Sequence, residues 1–141
     1  MDTDAEFHSL NILKFMGEVG MRFPRGSVFY VLNYVKLMVE DKRVIELETD
    51  GKIHAVLFYS LCYDTEKFLK KDTWEFKEHD KEGTVFYIEK MVASHWSIKL
   101  HNMVYDFVTD KYKEVEFLKW HKWSKIGDRE VVLPVKSKVC P

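Results

Sequence analysis

The strongest constraint on the fold is a change of hydrophobic period in the first half of the chain. Apolar residues recur at Val28, Val31, Leu32, Val35, Met38 and Val39, the i, i+3, i+4, i+7 spacing of one helix face held over three turns. Immediately afterwards the period becomes two. Ile45, Leu47 and Thr49 alternate up to Asp50-Gly51, and Ile53, Ala55, Leu57 and Tyr59 alternate away from it. Asp-Gly supplies the positive φ angles of a two-residue hairpin, so a helix followed by a β-hairpin is expected.

Around this pair the remaining elements follow from the same patterns. Residues 4–19 read as a first helix, with Phe7, Leu10, Leu13, Phe15 and Met16 as its apolar positions. Met21-Arg22-Phe23-Pro24-Arg25-Gly26 reads as a connection, with Ser27 placed to cap the second helix. Residues 64–82 are dense in charge and hold Phe68, Trp74 and Phe76 without a period, which suggests a loop or short helix and then a weak strand. Thr84 to Ala93 is β-branched, aromatic and apolar on both faces, as in a central strand covered on each side. A third helix follows, with Ser94 as its cap and Trp96, Leu100, Met103, Val104 and Phe107 as its stripe. Val115 to Trp123 and Glu130 to Val135, joined by a turn at Ile126-Gly127-Asp128, make a closing hairpin.

The expected architecture is α/β (α+β), a central, mostly antiparallel sheet flanked by helices. Apolar residues make up 46% of 141 and no Pro/Gly/Ser linker interrupts them, so a single domain over residues 1–141 is expected. No apolar run approaches the roughly 20 residues of a membrane helix, and the N-terminus MDTDAEF is acidic. Cys62 and Cys140 form neither a CxxC pair nor a secreted-type framework. A cytoplasmic location with reduced thiols is the expectation. No ligand set of metal spacing is present, since His79-Asp80 and His95 with His101 match no known pattern, and no metal is expected. Hydrolase and nucleotide-triphosphatase motifs are absent from the sequence.

Charge is unevenly distributed. Residues 1–66 carry 7 basic and 11 acidic groups, and residues 111–141 carry 8 basic and 4 acidic groups. The run Lys119-Trp120-His121-Lys122-Trp123-Ser124-Lys125 interleaves aromatic and basic side chains, the mixture that stacks bases and neutralises phosphates. A nucleic-acid-binding module is one alternative. Against it, strand alternation sends Trp120 and Trp123 to opposite faces.

The succession helix, helix, hairpin, long strand, helix, hairpin resembles the element order of the GNAT-like acyltransferases over roughly residues 5–136. Within that superfamily, SVFYVLNYVKLMVEDKRVIELETDGKIHAVLFYSL, VFYIEKMVAS and EVEFLKWHKWSKIGDREVV look like the arrangement of the toxin-activating lysine acyltransferases. The resemblance implies an N-acyltransferase moving an acyl group from a thioester carrier, acyl-CoA or acyl-carrier protein, to an amine. The carrier enters where the central strand splays from its neighbour, against Met91, Val92, Ala93, Ser94 and Trp96.

Such chemistry needs a base for the amine proton and a donor for the oxyanion. Glu89 sits inside the central strand, where a carboxylate is costly unless paired or used, and by the resemblance it matches an aspartate position. It is the candidate base, with Tyr87 or Ser94 near the oxyanion; the structural alternative is that Glu89 pairs with a lysine or faces solvent. The family's histidine falls in the connection before the second helix, where residues 21–26 hold none, leaving His95 or His54 to serve. The family's glycine-containing phosphate loop is also missing between Val92 and Ser97. Both departures suit the other alternative, a catalytically silent protein on this scaffold, encoded by a phage or mobile element, that binds a host protein.

Overall fold

Asp50 and Gly51 adopt φ of 55° and 74°, the two positive angles of a tight hairpin turn, and join β1 (Val44–Thr49) to β2 (Lys52–Cys62). The computed structural model describes residues 3–20, 28–68, 74–95, 97–122 and 129–135. Its remaining elements are α1 (Thr3–Glu18), α2 (Val28–Glu40), a 3-10 turn (Glu66–Phe68), β3 (Val85–Ala93), α3 (Ile98–Lys111), β4 (Phe117–Lys122) and β5 (Arg129–Pro134). The expected connection at residues 21–26, the cap Ser27, Trp96, Trp123, the turn 126–128 and Cys140 lie outside the described residues.

The strands form one sheet in the order β1-β2-β3-β4-β5. β1 and β2 are antiparallel, as are β4 and β5, whereas β3 and β4 are parallel. The β1–β2 ladder steps from Leu47↔Ala55 to Glu48↔Ile53, so His54 is the extra residue of a bulge. The mostly antiparallel α+β layout expected from the sequence is the one observed.

The chain divides into two compact units. The first holds residues 1–58, 72–77 and 91–95. Here α1 and α2 pack over the hairpin, with Ile12, Phe15, Met16, Val31, Tyr34, Val35, Met38, Val56 and Phe58 as one buried cluster and Trp74, Phe76 and Val92 against it. The buried residues of α1 are Ala5, Ser9, Ile12, Phe15 and Met16; of the expected stripe Phe15 and Met16 are buried, while Phe7 and Leu10 are exposed. Ser9 tolerates burial because its hydroxyl donates to the Ala5 carbonyl at 2.7 Å. Arg43 is also buried: its guanidinium donates to the Lys77 carbonyl at 2.8 Å, contacts Asp41 at 3.4 Å and stands 4.7 Å over the Phe76 ring.

The second unit holds residues 59–71, 78–90 and 96–141. On one face of its part of the sheet, Tyr59 stacks on Phe86 at 4.4 Å, Phe107 of α3 meets Tyr59 at 6.0 Å, and the Tyr59 and Tyr112 hydroxyls are 2.5 Å apart. Leu100, Val104 and Val108 are the buried stripe of α3. The cap of α3 is Ser97, whose side chain accepts from Leu100 N at 3.3 Å, and not Ser94. The weak strand expected within residues 64–82 is absent among the described residues, 69–73 lying outside them. Instead His79 Nδ1 accepts the Leu61 amide at 3.1 Å and Asp80 donates to the Leu61 carbonyl at 2.9 Å, satisfying the end of β2 outside any ladder.

β3 is interior in the strand order, as expected, but only Val85, Phe86 and Tyr87 are buried. The strand covered throughout is β2, buried without a break from Ala55 to Cys62. Among the described residues, no helix is long and apolar enough to cross a membrane.

Gly83 lies so close to β2 that an added Cβ meets the Cys62 backbone at 2.5–2.7 Å, whereas a Cβ at Gly17 meets nothing within 4 Å. Gly83→Ala must therefore displace backbone and is expected to lower stability by about 1–3 kcal/mol. Gly17→Ala, within α1, is expected to raise it by about 0.5–1 kcal/mol. Urea unfolding of the two variants beside the parent checks both signs.

Candidate active site

The face of the second unit opposite the Tyr59–Phe86 stack carries the chemistry. Strand alternation places Ser60 and Cys62 of β2, Val85, Tyr87 and Glu89 of β3, and Lys119 and His121 of β4 on this side. The parallel register between β3 and β4 runs from Val85↔Phe117 to Ile88↔Trp120. Both strands continue, β3 through Glu89 and Lys90 and β4 through His121 and Lys122, but Ile88↔Trp120 is the last pair among the described residues. Glu89 is thus the first residue past the end of the parallel ladder.

Its carboxylate is half-buried and accepts a hydrogen bond from the Ser60 hydroxyl on β2. Tyr87, two residues earlier on the same face, is 2% exposed and stacks on Phe68 of the 3-10 turn at 5.3 Å. Burial most of all, then the Glu89 and Glu130 carboxylates and last Cys62, together push the Tyr87 phenol up to about 12. At neutral pH Tyr87 is a hydrogen-bond donor and not a base. Glu130 of β5 is 3.6 Å from the Lys119 ammonium and accepts from Thr65 at 3.3 Å, so Lys119 offsets its charge.

The other expected site residues fall in the first unit. His54, extruded by the bulge, meets the His95 ring edge-on with centroids 4.7 Å apart. The Ser94 hydroxyl is 3.3 Å from His95 Nδ1 and 3.3 Å from the His54 carbonyl, and the Ser94 amide donates to that carbonyl at 2.9 Å. Met91 and Ser94 are exposed, and Val92 and Ala93 are half-buried. The structure thus joins His54, Ser94 and His95 in one cluster, and Tyr87 and Glu89 in another. Because Ser94 spends its amide on His54, that N–H is committed to the sheet. Among the described residues, no group of three His, Cys, Asp or Glu side chains is placed to hold a metal ion.

Sequence reasoning missed Ser60. A serine inside the run Val56-Leu57-Phe58-Tyr59-Ser60-Leu61 was the available signal, because a buried hydroxyl needs a partner and every neighbour is apolar or aromatic.

No protein-family model matches the chain, and no curated protein matches its sequence. A solved structure does: a crystal structure described as that of a "putative acetyltransferase" from Staphylococcus aureus Mu50 aligns with a TM-score of 0.51 and 16% identity, covering 96% of this chain and 94% of that one. The likeness is one of fold, and the strand order with its parallel β3–β4 pair is consistent with the GNAT-like layout expected from the order of elements.

The raised Tyr87 value has a consequence for stability. Between about pH 10 and about 12 the folded chain retains a phenolic proton that the unfolded chain has released, so stability falls as pH rises through that window. Tyr87→Phe is expected to flatten this fall, measured by urea unfolding at steps from pH 9 to 11.5.

Proposed function

We propose that this chain is an N-acyltransferase that moves an acyl group from a thioester carrier, acyl-CoA or acyl-carrier protein, to an amine. The observation that carries the reading is the place of Glu89: a carboxylate on the inner strand of a GNAT-like sheet, at the point where pairing with the parallel neighbour stops. Among the described residues no β3–β4 pair follows Ile88↔Trp120, which suits approach of an extended acyl carrier to Glu89. The resemblance to the toxin-activating lysine acyltransferases makes a lysyl side-chain amine the first acceptor to test.

In this reading the amine nitrogen attacks the thioester carbonyl carbon and Glu89 takes the proton that the nitrogen loses. The tetrahedral intermediate collapses with cleavage of the carbon–sulfur bond, leaving an amide and the carrier thiol. Tyr87 takes no part in proton removal, because its phenol stays protonated to about pH 12. Its burial under Phe68 favours action through the field it shares with Glu89 over contact with the oxyanion. His54 and His95 belong to the first unit and are assigned no step.

A second reading, an interaction protein on the same scaffold, is favoured by the commitment of the Ser94 amide to His54 and by the glycine-free connection from Ala93 to Ile98. One experiment separates the two. Radiolabelled acyl-CoA and acyl-carrier protein are each incubated with the protein and a panel of lysine peptides and small amines. Transfer that drops by about 10²- to 10⁴-fold in Glu89→Gln supports catalysis. No transfer by the parent chain with any donor removes the enzyme reading and leaves the interaction protein, whereas transfer that Glu89→Gln leaves intact removes Glu89 as the base.

A further inference from the structure

The acyltransferase reading leaves the cluster of His54, Ser94 and His95 unused, and all three residues belong to the first unit. Backbone geometry builds this cluster. His54 is the extra residue of the β1–β2 bulge, which re-aims its side chain, and its carbonyl is tied to the chain leaving β3 by the Ser94 amide at 2.9 Å. The same carbonyl accepts from the Ser94 hydroxyl at 3.3 Å, which uses that hydroxyl's one hydrogen. The 3.3 Å contact between Ser94 Oγ and His95 Nδ1 then runs the other way, with Nδ1–H donating. His95 is thereby held in the tautomer whose lone pair is on Nε2. An oxygen that accepts the hydrogen of one ring nitrogen is the outer partner that metal-ligating histidines carry.

We infer that His54 and His95 form a two-nitrogen site for a divalent transition-metal ion of the Cu²⁺ or Ni²⁺ class, independent of the acyltransferase reading. The spacing of the rings selects the ion. A metal–nitrogen bond of ~2.0 Å and a further ~1.2 Å to the ring centre put each centre ~3.2 Å from the ion. Two such rings at the ~90° of square-planar or octahedral coordination have centres ~4.5 Å apart, and at the ~109° of a tetrahedron ~5.2 Å. The observed 4.7 Å lies closer to the right-angle value.

The rings meet edge-on with 69° between their planes. Turning His54 about χ2, a broad torsion in histidine, rotates the ring about an axis close to its own centre, so the nitrogen it presents changes while the separation of centres holds. Among the described residues no third His, Cys, Asp or Glu completes a ligand group, so water fills the remaining positions. His95 is exposed and His54 half-buried, which leaves an ion a path to the pair. Once bound, the ion clips β2 to the chain just past β3.

The test titrates Cu²⁺, which is paramagnetic, into the full chain and follows the imidazole signals by NMR. The six histidines are resolved by assigning two of them with His54→Gln and His95→Gln. The expected result is that the His54 and His95 signals broaden together, ahead of the other four. In His54→Gln, broadening of His95 needs about 10- to 100-fold more Cu²⁺, and the reciprocal variant does the same to His54. Ser94→Ala, which leaves both ligands in place, needs about tenfold more. In competition for the pair, Ni²⁺ outbinds Zn²⁺. Broadening of His95 at the same Cu²⁺ concentration in His54→Gln as in the parent overturns the inference, because each ring then binds alone. Earlier broadening of any other histidine overturns it as well, and tighter binding of Zn²⁺ than of Ni²⁺ overturns the right-angle geometry and with it the class of ion.

Discussion

Everything in this fold is arranged around a strand that has no wet side. From Ala55 to Cys62, β2 is buried at eight consecutive positions, so both of its faces must be covered. The first unit covers the stretch up to Phe58 with α1, α2 and the Trp74–Phe76 segment. In the second unit, Tyr59 is covered by Phe86, Phe107 and Tyr112 on one face, while Cys62 is covered on the other by Val85, Tyr87 and Phe68. Each large apolar side chain withdrawn from water contributes about 1.5–3 kcal/mol, offset by the ordering of the chain around it. In such a run a polar side chain is conspicuous. Ser60 is the polar residue within it, and its hydroxyl points at the carboxylate on which the proposed chemistry turns.

What could be read from the sequence divides according to the range of the interactions involved. The second helix, the Asp50-Gly51 hairpin, the long strand and the third helix are written in local periods, and they stand where the periods put them. Errors arose where local patterns met tertiary choices. Phe7 and Leu10 looked like the apolar face of α1, but the chain buries Ala5 and Ser9, because a small face lets the helix approach closely and Ser9 can satisfy itself on its own backbone. Ser94 was expected as the cap of α3, but Ser97, three residues on, has the extended backbone angles and its side chain accepts the Leu100 amide. Arg43 and His79 carried no signal, since their partners lie 34 and 18 residues away.

The candidate site shows the same division. Glu89 was visible because one strand pattern is enough to expose a carboxylate in apolar surroundings. Ser60 was not, because its meaning depends on the register between β2 and β3, which no local pattern states. His54 looked like an ordinary hairpin residue, yet a one-residue bulge brings its ring to His95. That pairing is a product of register too.

The eight-residue buried stretch of β2 also bears on how the chain survives its own synthesis. Ala-Val-Leu-Phe-Tyr-Ser-Leu-Cys has high β propensity, no charge and no proline, the composition that stacks with copies of itself when left bare. One neighbour, β1, has already emerged from the ribosome when this segment appears, but the other, β3, begins 23 residues after Cys62. Until β3 arrives, the nascent segment has an open edge, and the charged residues of the stretch between them, from Asp64 to Glu82, are the solubilising flank that nascent chains use to delay association.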